Sequence, residues 1–328
     1  MQISIGDAEA LLRGALVKLG YDGSDLDSPV AHMIDCELRG LEYAGFSRIL
    51  SISERLRRDG FSSRPVTLVK ESPVSAQIDG ADNLGYIVGQ KVTDIAIAKA
   101  QESGIAIVGA SDTWYTGMLS FYAEQAAERD LVSLIFSNAA PWVAPYGGTE
   151  GKFGTNPICF GFPSADDAVI WDIGTSEIIH AQVVLAKRLG RSLPEGVAFD
   201  AAGKLTTDPV AALGGAFMAW GGHKGSGLAI AVQLFGILAG SAVIPDDLGK
   251  FGMIMICVRP DLLGDTETFK RGVAEYAAEV RATRPIEGGP PVRMPFDRSR
   301  RDREAVRAGG VLEVPDVLVE AVRGIAGA

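Results

Sequence analysis

The sequence is poor in the features that mark several large classes of protein. It has three cysteines, widely spaced and odd in number, and they form neither a metal-ligand spacing nor a disulfide framework. Cys36, Cys159 and Cys257 are therefore expected to be buried, inert thiols in a protein of a reducing compartment. The opening segment MQISIGDAEA lacks the basic region and apolar core of a signal peptide, so a cytoplasmic location is expected.

An excess of positive charge and long hydrophobic runs are also missing. The formal net charge is −10 and no block of lysine and arginine dominates a segment, which argues against a nucleic-acid partner. The basic residues within 298–307 are interrupted by acidic ones, as on a solvated face. The longest apolar stretch, residues 228–244, contains Gln233 and several glycines, so it predicts a buried helix rather than a membrane span.

Two common nucleotide-binding motifs are absent as well. The sequence has no G-x-G-x-x-G between a strand and a helix, and no G-x-x-x-x-G-K-[ST]. The GSG of residues 225–227 lacks the third glycine and the preceding strand. An ordinary Rossmann domain is therefore not expected.

What is present is an alternation of helices and strands, which indicates an α/β protein. Helices are predicted over residues 7–19, 28–40 (with Ser28 as the cap), 86–102, 118–129, 174–190, 228–240 and 266–283. Strands are predicted over residues 66–71, 105–109, 131–136, 158–162, 169–173 and 251–258. This order predicts a mixed α/β centre at residues 71–260, and a helical unit built from residues 1–70 and 261–328.

One long connection, residues 138–157, has the sequence NAAPWVAPYGGTEGKFGTNP and is the richest candidate for a binding site. Its glycines, including Gly148, would let the backbone approach a ligand closely and expose amide groups. Thr155 and Asn156 add donors and acceptors for ribose or phosphate oxygens. An ordinary long loop fits the same spacing.

A second glycine-rich segment, GGHKGSGL at residues 221–228, opens a predicted helix. Free amides at a helix start, together with Lys224 and the adjacent His223, would make an anion site. A flexible turn with a surface lysine fits the same residues.

Other candidates lie near the predicted strands or in the N-terminal part. Asp172 ends a strand, where it could orient a ring or move a proton, or simply cap the next helix, in which His180 is expected to be an ordinary residue. Tyr115 could donate a proton and Trp114 could stack on a ligand, although both could be packing residues. Arg48 could hold a substrate carboxylate in a bidentate pair, or be a solvated arginine.

Four segments in a fixed order identify a family. They are VAPYGGTEGKFGTNP (143–157), DIGTS (172–176), GKLTTDPVAAL (203–213) and GGHKGSGLAI (221–230). The chain thereby resembles, over nearly its whole length, the malate/L-lactate dehydrogenase family that is unrelated to the Rossmann-type enzymes. That family includes sulfolactate, ureidoglycolate and 2,3-diketogulonate dehydrogenases and the piperideine- and pyrroline-2-carboxylate reductases.

The resemblance implies a homodimer with a non-Rossmann α/β fold, in which a mixed-sheet NAD(P)-binding domain meets a helical domain from both chain ends. It implies hydride transfer between NAD or NADP and C2 of a small carboxylate substrate, either a 2-oxo or 2-hydroxy acid or a 2-imino acid. No metal is implied. The implied cofactor contacts are Asn138, Gly148, Thr155, Asn156, Gly174, Thr175, Ser176, His223, Lys224, Gly225 and Gly227.

The chain departs from the family pattern at its two histidines. The motif R-G-x-x-S-H-G-x-x-R matches residues 39–48 and keeps Arg48, but its Ser-His pair is Tyr43 and Ala44 here. The histidine of the motif S-x-H-F-G, the family's acid/base, falls at Tyr115. Tyr115 is therefore hypothesised to donate the proton, with Asp172 as an orienting or relay group.

Arg48 would then hold the substrate carboxylate, and Tyr43 and Trp114 would line the pocket. Aromatic walls favour a bulkier 2-oxo acid or a cyclic imine acid over malate and lactate. The missing histidines leave a second hypothesis, a catalytically inactive relative that binds nucleotide as a sensor or assembly partner. A lyase or isomerase that uses the cofactor transiently is a third.

Overall fold

The computed structural model describes residues 1–62, 64–246 and 248–327. Its α-helices are α1 (Ile5–Lys18), α2 (Asp27–Leu38), α3 (Phe46–Asp59), α4 (Gly85–Ser103), α5 (Ser120–Ala127), α6 (His180–Leu189), α7 (Pro209–Leu213), α8 (His223–Leu238), α9 (Thr266–Arg281), α10 (Asp297–Gly309) and α11 (Asp316–Ala326). Its strands are β1 (Gln2–Ser4), β2 (Thr67–Ser72), β3 (Ser75–Leu84), β4 (Ile105–Trp114), β5 (Val132–Ser137), β6 (Ile158–Phe162), β7 (Val169–Ile173), β8 (Ala198–Phe199), β9 (Ala216–Phe217), β10 (Phe251–Val258) and β11 (Val311–Glu313).

Seven of these strands form one mixed sheet in the order β2-β3-β4-β10-β5-β6-β7. β3 and β4 run parallel, and the other neighbouring pairs run antiparallel. β10 comes from late in the chain and lies between β4 and β5, so that Ile254 is paired with Gly109 on one side and Phe136 on the other. A nearly continuous apolar sequence, FGMIMICV, suits this central position. The predicted α/β fold with a mixed central sheet is confirmed.

Helices cover both faces of the sheet because successive strand residues point to opposite sides. Ala106 and Val108 of β4 belong to the core beneath α4 and α5. Ile107, between them, packs on the opposite face with residues of α8. On that face Phe136 and Phe235 stack with ring centroids 4.2 Å apart.

The two chain ends build one helical unit, as predicted. β1 pairs antiparallel with β11, and the α-amino group of Met1 pairs with Asp316. α1 packs on α11, and Leu12 and Val322 lie fully buried in the same core. The domain boundaries at residues 70 and 260 stay predictions; β2, which begins at Thr67, already belongs to the central sheet.

The sequence did not predict β3 or α3. β3 contains aspartate, glycine and asparagine, which strands disfavour, and its pairing with β2 and β4 overrides that preference. α3 did carry a usable signal, because its apolar residues Phe46, Ile49, Ile52 and Leu56 recur on one face and are buried.

Several predicted boundaries were wrong. The helix predicted over 174–190 begins at His180, and the strand predicted over 105–109 continues to Trp114. The helix predicted from residue 228 begins at His223, so the glycine-rich segment is its first turn and not a loop before it. The helix predicted over 118–129 covers Ser120–Ala127. Ser28 does not cap α2; its hydroxyl donates to the carbonyl of Tyr86.

The three cysteines are buried, as predicted. Within residues 1–62, 64–246 and 248–327, no helix combines the length and the apolar character that a membrane crossing requires.

Two glycines of α8 provide a matched test of its close packing. A Cβ at Gly236 would lie 2.3 Å from Cγ of Asn138, whereas a Cβ at Gly227 would meet nothing within 4 Å. Gly236→Ala is expected to destabilise the protein by about 1–3 kcal/mol through overpacking, and Gly227→Ala to stabilise it by up to about 1 kcal/mol through higher helix propensity. Urea unfolding measures both, and equal effects of the two substitutions would contradict the packing described.

Glu37 provides a test of the turn between α2 and α3. Its carboxylate is 8% exposed and accepts the Phe46 amide at 2.7 Å. Burial raises the pKa of Glu37 to about 8, the Phe46 amide opposes this, and the charge of Glu42 adds to it. Since the folded state holds this proton more tightly, its stabilising effect is complete below the unfolded pKa near 4.5 and is lost as pH rises towards 8.

Glu37→Gln keeps the acceptor for Phe46 and removes the charge. The variant is therefore expected to unfold with the same free energy as the wild type near pH 4 and with a larger one at pH 8.5. Urea unfolding at both pH values measures this difference. A variant that is equally or less stable than the wild type at pH 8.5 would show that the charged Glu37 carboxylate does not destabilise the folded protein.

Candidate active site

Three of the four family motifs, at residues 143–157, 172–176 and 221–230, meet beside the edge of the central sheet at which β4, β5 and β7 end. The Thr175 amide donates to the Thr155 carbonyl at 2.9 Å, and the Trp220 amide donates to the Thr175 carbonyl at 2.9 Å. Gly225 completes the contact, because a Cβ there would lie 1.8 Å from the Trp220 carbonyl oxygen. The segments 143–157, 172–176 and 221–230, which are far apart in sequence, therefore form one continuous wall.

A cavity of about 590 Å³ opens between this wall and the helical unit. That volume lies within the range of small-molecule sites. Its lining comes from the α2–α3 turn, the ends of β4, β5 and β7, the start of α6 and the segment before α10. Among the predicted site residues, the lining includes Tyr43, Arg48, Tyr115, Asn138, Thr155, Asp172 and Gly174.

Of the three arginines that line the cavity, Arg48, Arg293 and Arg298, only Arg48 is buried. It lies in the first turn of α3 and is 8% exposed, and none of the described carboxylates lies within ion-pair distance of it. Its Nε is buried and has no hydrogen-bond partner among the described residues. The phenols of Tyr86 and Tyr115 are its nearest polar neighbours. A buried guanidinium whose Nε lacks a partner is costly, and a ligand carboxylate would reduce that cost.

Tyr115 lies under this charge. The Arg48 Cζ is 4.1 Å from the centroid of the Tyr115 ring. The backbone of Tyr115 has φ = 54°, and Gly117 two residues later also has positive φ, 78°. An aromatic residue in the left-handed region stores strain, and such strain is concentrated at functional sites.

Asp172 is the last but one residue of β7 and lines the cavity. Its Oδ2 accepts the Ser120 amide at 2.8 Å, so the carboxylate caps α5 rather than the helix that follows it in sequence. Burial raises the pKa of Asp172 above its usual value, and hydrogen bonds from Ser120 and the Leu119 amide lower it. The carboxyl group is thus prepared to hold a proton at higher pH than a surface aspartate.

Tyr43 also lines the cavity. Burial raises the pKa of its hydroxyl, and the charges of Cys36 and Asp172 raise it further, whereas those of Arg48 and Arg298 lower it. Tyr43 therefore stays protonated and can donate a hydrogen bond into the cavity.

The predicted cofactor residues fall into three groups. Asn138, Thr155 and Gly174 line the cavity. Asn156, Thr175, Ser176 and Gly225 are buried in the contacts that join the motifs; the Asn156 amide, for example, donates to the carbonyl of Ala229 in α8 at 2.9 Å. Gly148, His223, Lys224 and Gly227 lie on the exposed surface outside the cavity.

The prediction that Trp114 lines the substrate pocket is wrong, because Trp114 is not among the residues that line the cavity. It is 1% exposed, and its indole N–H donates to the Asp82 carbonyl at 2.9 Å. The Arg55 guanidinium covers its ring at 4.5 Å. Trp114 is a packing residue behind the wall, because β4 runs five residues further than the sequence pattern indicated.

Sequence reasoning missed two parts of the wall. His180 was predicted to be an ordinary helix residue, yet it lines the cavity and stacks on Trp142. The segment 293–296, with Arg298 and Ser299, closes the cavity from the C-terminal side. No local pattern marks that segment, since it reaches the site through the packing of α10 on α2. His180 could have been found because the chain has only three histidines.

No group of three or more histidine, cysteine, aspartate or glutamate side chains in the described part of the chain is arranged to hold a metal ion. The titratable side chains that line the cavity are instead three arginines, two phenols, a carboxyl and an imidazole. This set can bind an organic anion and move a proton.

Comparison with known proteins agrees with this geometry. The chain is 32% identical to an L-sulfolactate dehydrogenase of Methanocaldococcus jannaschii over 287 residues, which cover 85% of this chain and 83% of that one. It is 30% identical to a (2R)-3-sulfolactate dehydrogenase (NADP(+)) of Chromohalobacter salexigens, covering 99% and 98% of the two chains. It superposes on a delta1-piperideine-2-carboxylate reductase of Pseudomonas syringae with a TM-score of 0.84 at 27% identity, covering 99% of each chain.

The sequence model of one family matches almost the entire chain, residues 3–323. The mixed sheet, the helical unit from both ends and the order of the four motifs agree with that match. The chain belongs to the malate/L-lactate dehydrogenase family.

Proposed function

We propose that this protein is an NAD(P)-dependent reductase of a small carboxylate whose C2 carries a C=O or C=N bond. The observation that carries the proposal is Arg48, a buried guanidinium with an unpaired Nε in the wall of a ligand-sized cavity. It suits the carboxylate of a 2-oxo or cyclic 2-imino acid, held bidentately. The names of the relatives, which are dehydrogenases of sulfolactate and a reductase of piperideine-2-carboxylate, support this substrate class.

The residues at the cavity fit a nicotinamide cofactor. Gly174 lies on the wall, where a Cβ would come within 3.2 Å of Ile179, so the backbone itself forms the surface. Asn138 and Thr155 line the same region, and the exposed His223 and Lys224 lie at the start of α8 for the remainder of a dinucleotide. The cofactor would supply the hydride, and the protein's task is to hold the acceptor and supply a proton. Both NAD and NADP remain candidates.

Tyr115 is proposed as the proton donor. Its ring lies against Arg48, so the residue that would hold the carboxylate also places the C2 group near the phenol. The guanidinium charge above the ring would stabilise the phenolate that remains after donation. Asp172, in the same cavity, is proposed as the orienting or relay group that helps return the proton.

The substrate is proposed to be bulkier or less polar than malate or lactate. Tyr43, Tyr115 and Trp142 line the cavity with Arg48, so an aromatic wall surrounds the position of C3 and beyond. The cytoplasm is the proposed location, because the three cysteines are free thiols.

A homodimer is the proposed assembly. α8 exposes Ile230 (46%), Leu234 (60%) and Leu238 (67%) along one side, and a second copy of the chain would bury them. Sedimentation equilibrium measures this, and a monomer at micromolar concentration would refute it.

A turnover screen separates the proposal from the inactive-relative hypothesis. Binding of NADH and NADPH is measured by fluorescence, and oxidation of each is followed with a panel of 2-oxo acids and cyclic imine acids. Turnover of a panel member supports the reductase. Tight cofactor binding without any turnover supports the nucleotide-binding sensor, and non-redox product formation supports the lyase or isomerase.

Tyr115→Phe tests the role of the phenol. Loss of a positioned proton donor is expected to lower kcat by about 100-fold or more, while the cofactor dissociation constant changes little, because the ring and its contact with Arg48 remain. Stopped-flow absorbance of the reduced cofactor measures the rate. Turnover within about threefold of the wild type would remove Tyr115 from this role.

A further inference from the structure

His180 is a cavity residue that the proposed mechanism does not yet use. It is the first residue of α6 and lines the cavity together with Arg48, Tyr115 and Asp172. Neither ring nitrogen has a hydrogen-bond partner among the described residues, although the ring is largely buried. Its partner is an aromatic face, because His180 and Trp142 stack with centroids 3.8 Å apart at an angle of 14°.

The surroundings of His180 keep its imidazole neutral. Burial, together with the positive charges of Arg48 and Arg188, lowers the pKa of His180 to about 3. Its place at the start of α6 acts in the same direction, since a helix N-terminus carries partial positive charge. The other titratable groups that line its cavity are Tyr43, Tyr115, Asp172 and the arginines Arg48, Arg293 and Arg298.

The position of His180 relative to Arg48 is fixed by one bridge between their helices. Arg188, two turns along α6, donates to the Ser47 carbonyl at 2.7 Å and to the Ser51 hydroxyl at 3.1 Å, both in α3. The hydrogen bonds of Arg188 hold α6, which carries His180, against α3, which carries Arg48. A substrate held by Arg48 would therefore meet the His180 ring in a defined orientation, as directed hydrogen bonding requires.

We propose that His180 touches the substrate and donates a hydrogen bond from its neutral imidazole to the C2 oxygen or nitrogen, as a second electrophilic group beside Tyr115. The inference rests on the proposed function. A neutral imidazole is suited to this task because it donates an N–H without giving up its proton at each turnover.

A bound reduced nicotinamide would supply the hydride of its C4–H bond, with both electrons, to C2 of the substrate, where the new C–H bond would form. The π electrons of the C=O or C=N bond move to the heteroatom, which takes the Tyr115 proton. His180 donates a hydrogen bond to that atom throughout and ends the step neutral.

His180→Phe is the sharpest variant, because a phenyl ring can keep the stack on Trp142 and lacks the N–H. Loss of one preorganised donor is expected to lower kcat by about 100-fold with an unchanged dissociation constant for the reduced cofactor. His180→Gln supplies an amide N–H and is expected to recover part of that loss. Thermal unfolding of the variants checks that they are folded, and the kcat of wild type is expected to show no ionisation near pH 6.5.

NMR of the protein labelled with 15N-histidine gives a second readout, and the presence of three histidines makes assignment by substitution direct. Addition of oxamate to the complex with reduced cofactor is expected to shift one ring N–H signal, absent in His180→Phe. A folded His180→Phe with kcat within threefold of wild type, or an unshifted signal, overturns the role of His180 alone. A wild-type protein that turns over no member of the substrate panel overturns the proposed function and this inference with it.

Discussion

The site is organised around one buried positive charge, the Arg48 guanidinium, whose Nε has no hydrogen-bond partner among the described residues. A buried charge without a partner costs several kcal/mol unless something compensates for it. Here the Tyr115 ring, 4.1 Å away, and the neighbouring Tyr86 phenol give partial compensation, and a ligand carboxylate would add to it. A bound anion therefore lowers the free energy of the site more than a neutral molecule of the same size does. The cavity selects carboxylates for this reason.

The rest of the fold holds other groups around that charge. Helix α3, which carries Arg48, belongs to the helical unit from both chain ends. Tyr115 directly follows β4, and Asp172 is the last but one residue of β7, both in the central sheet. The hydrogen bond from Arg188 to Ser47 joins the two parts. Because Gly225 and Gly236 have no side chain, α8 can pack closely on Trp220 and on Asn138. Reaction geometry thus depends on packing between elements that are distant in sequence.

Because the site depends on packing between distant elements, the sequence could predict its local features better than its three-dimensional arrangement. Periodicity and turn residues predicted strands such as β6, β7 and β10 because their signals are local. The four motifs predicted the family and included Asp172, and two further family patterns, at residues 39–48 and 113–117, pointed to Arg48 and Tyr115. They could not predict that Trp114 turns behind the wall, that His180 begins a helix facing the cavity, or that residues 293–299 close it, because long-range packing decides those placements.

The central claim is that Arg48 binds the substrate carboxylate. Its most direct test is calorimetric titration of oxamate, a carboxylate analogue, into wild type and Arg48→Leu, each saturated with reduced cofactor. Loss of a charged hydrogen-bonded pair predicts that the oxamate dissociation constant rises by about tenfold or more while cofactor affinity is retained. Equal affinity of both proteins for oxamate would contradict the account.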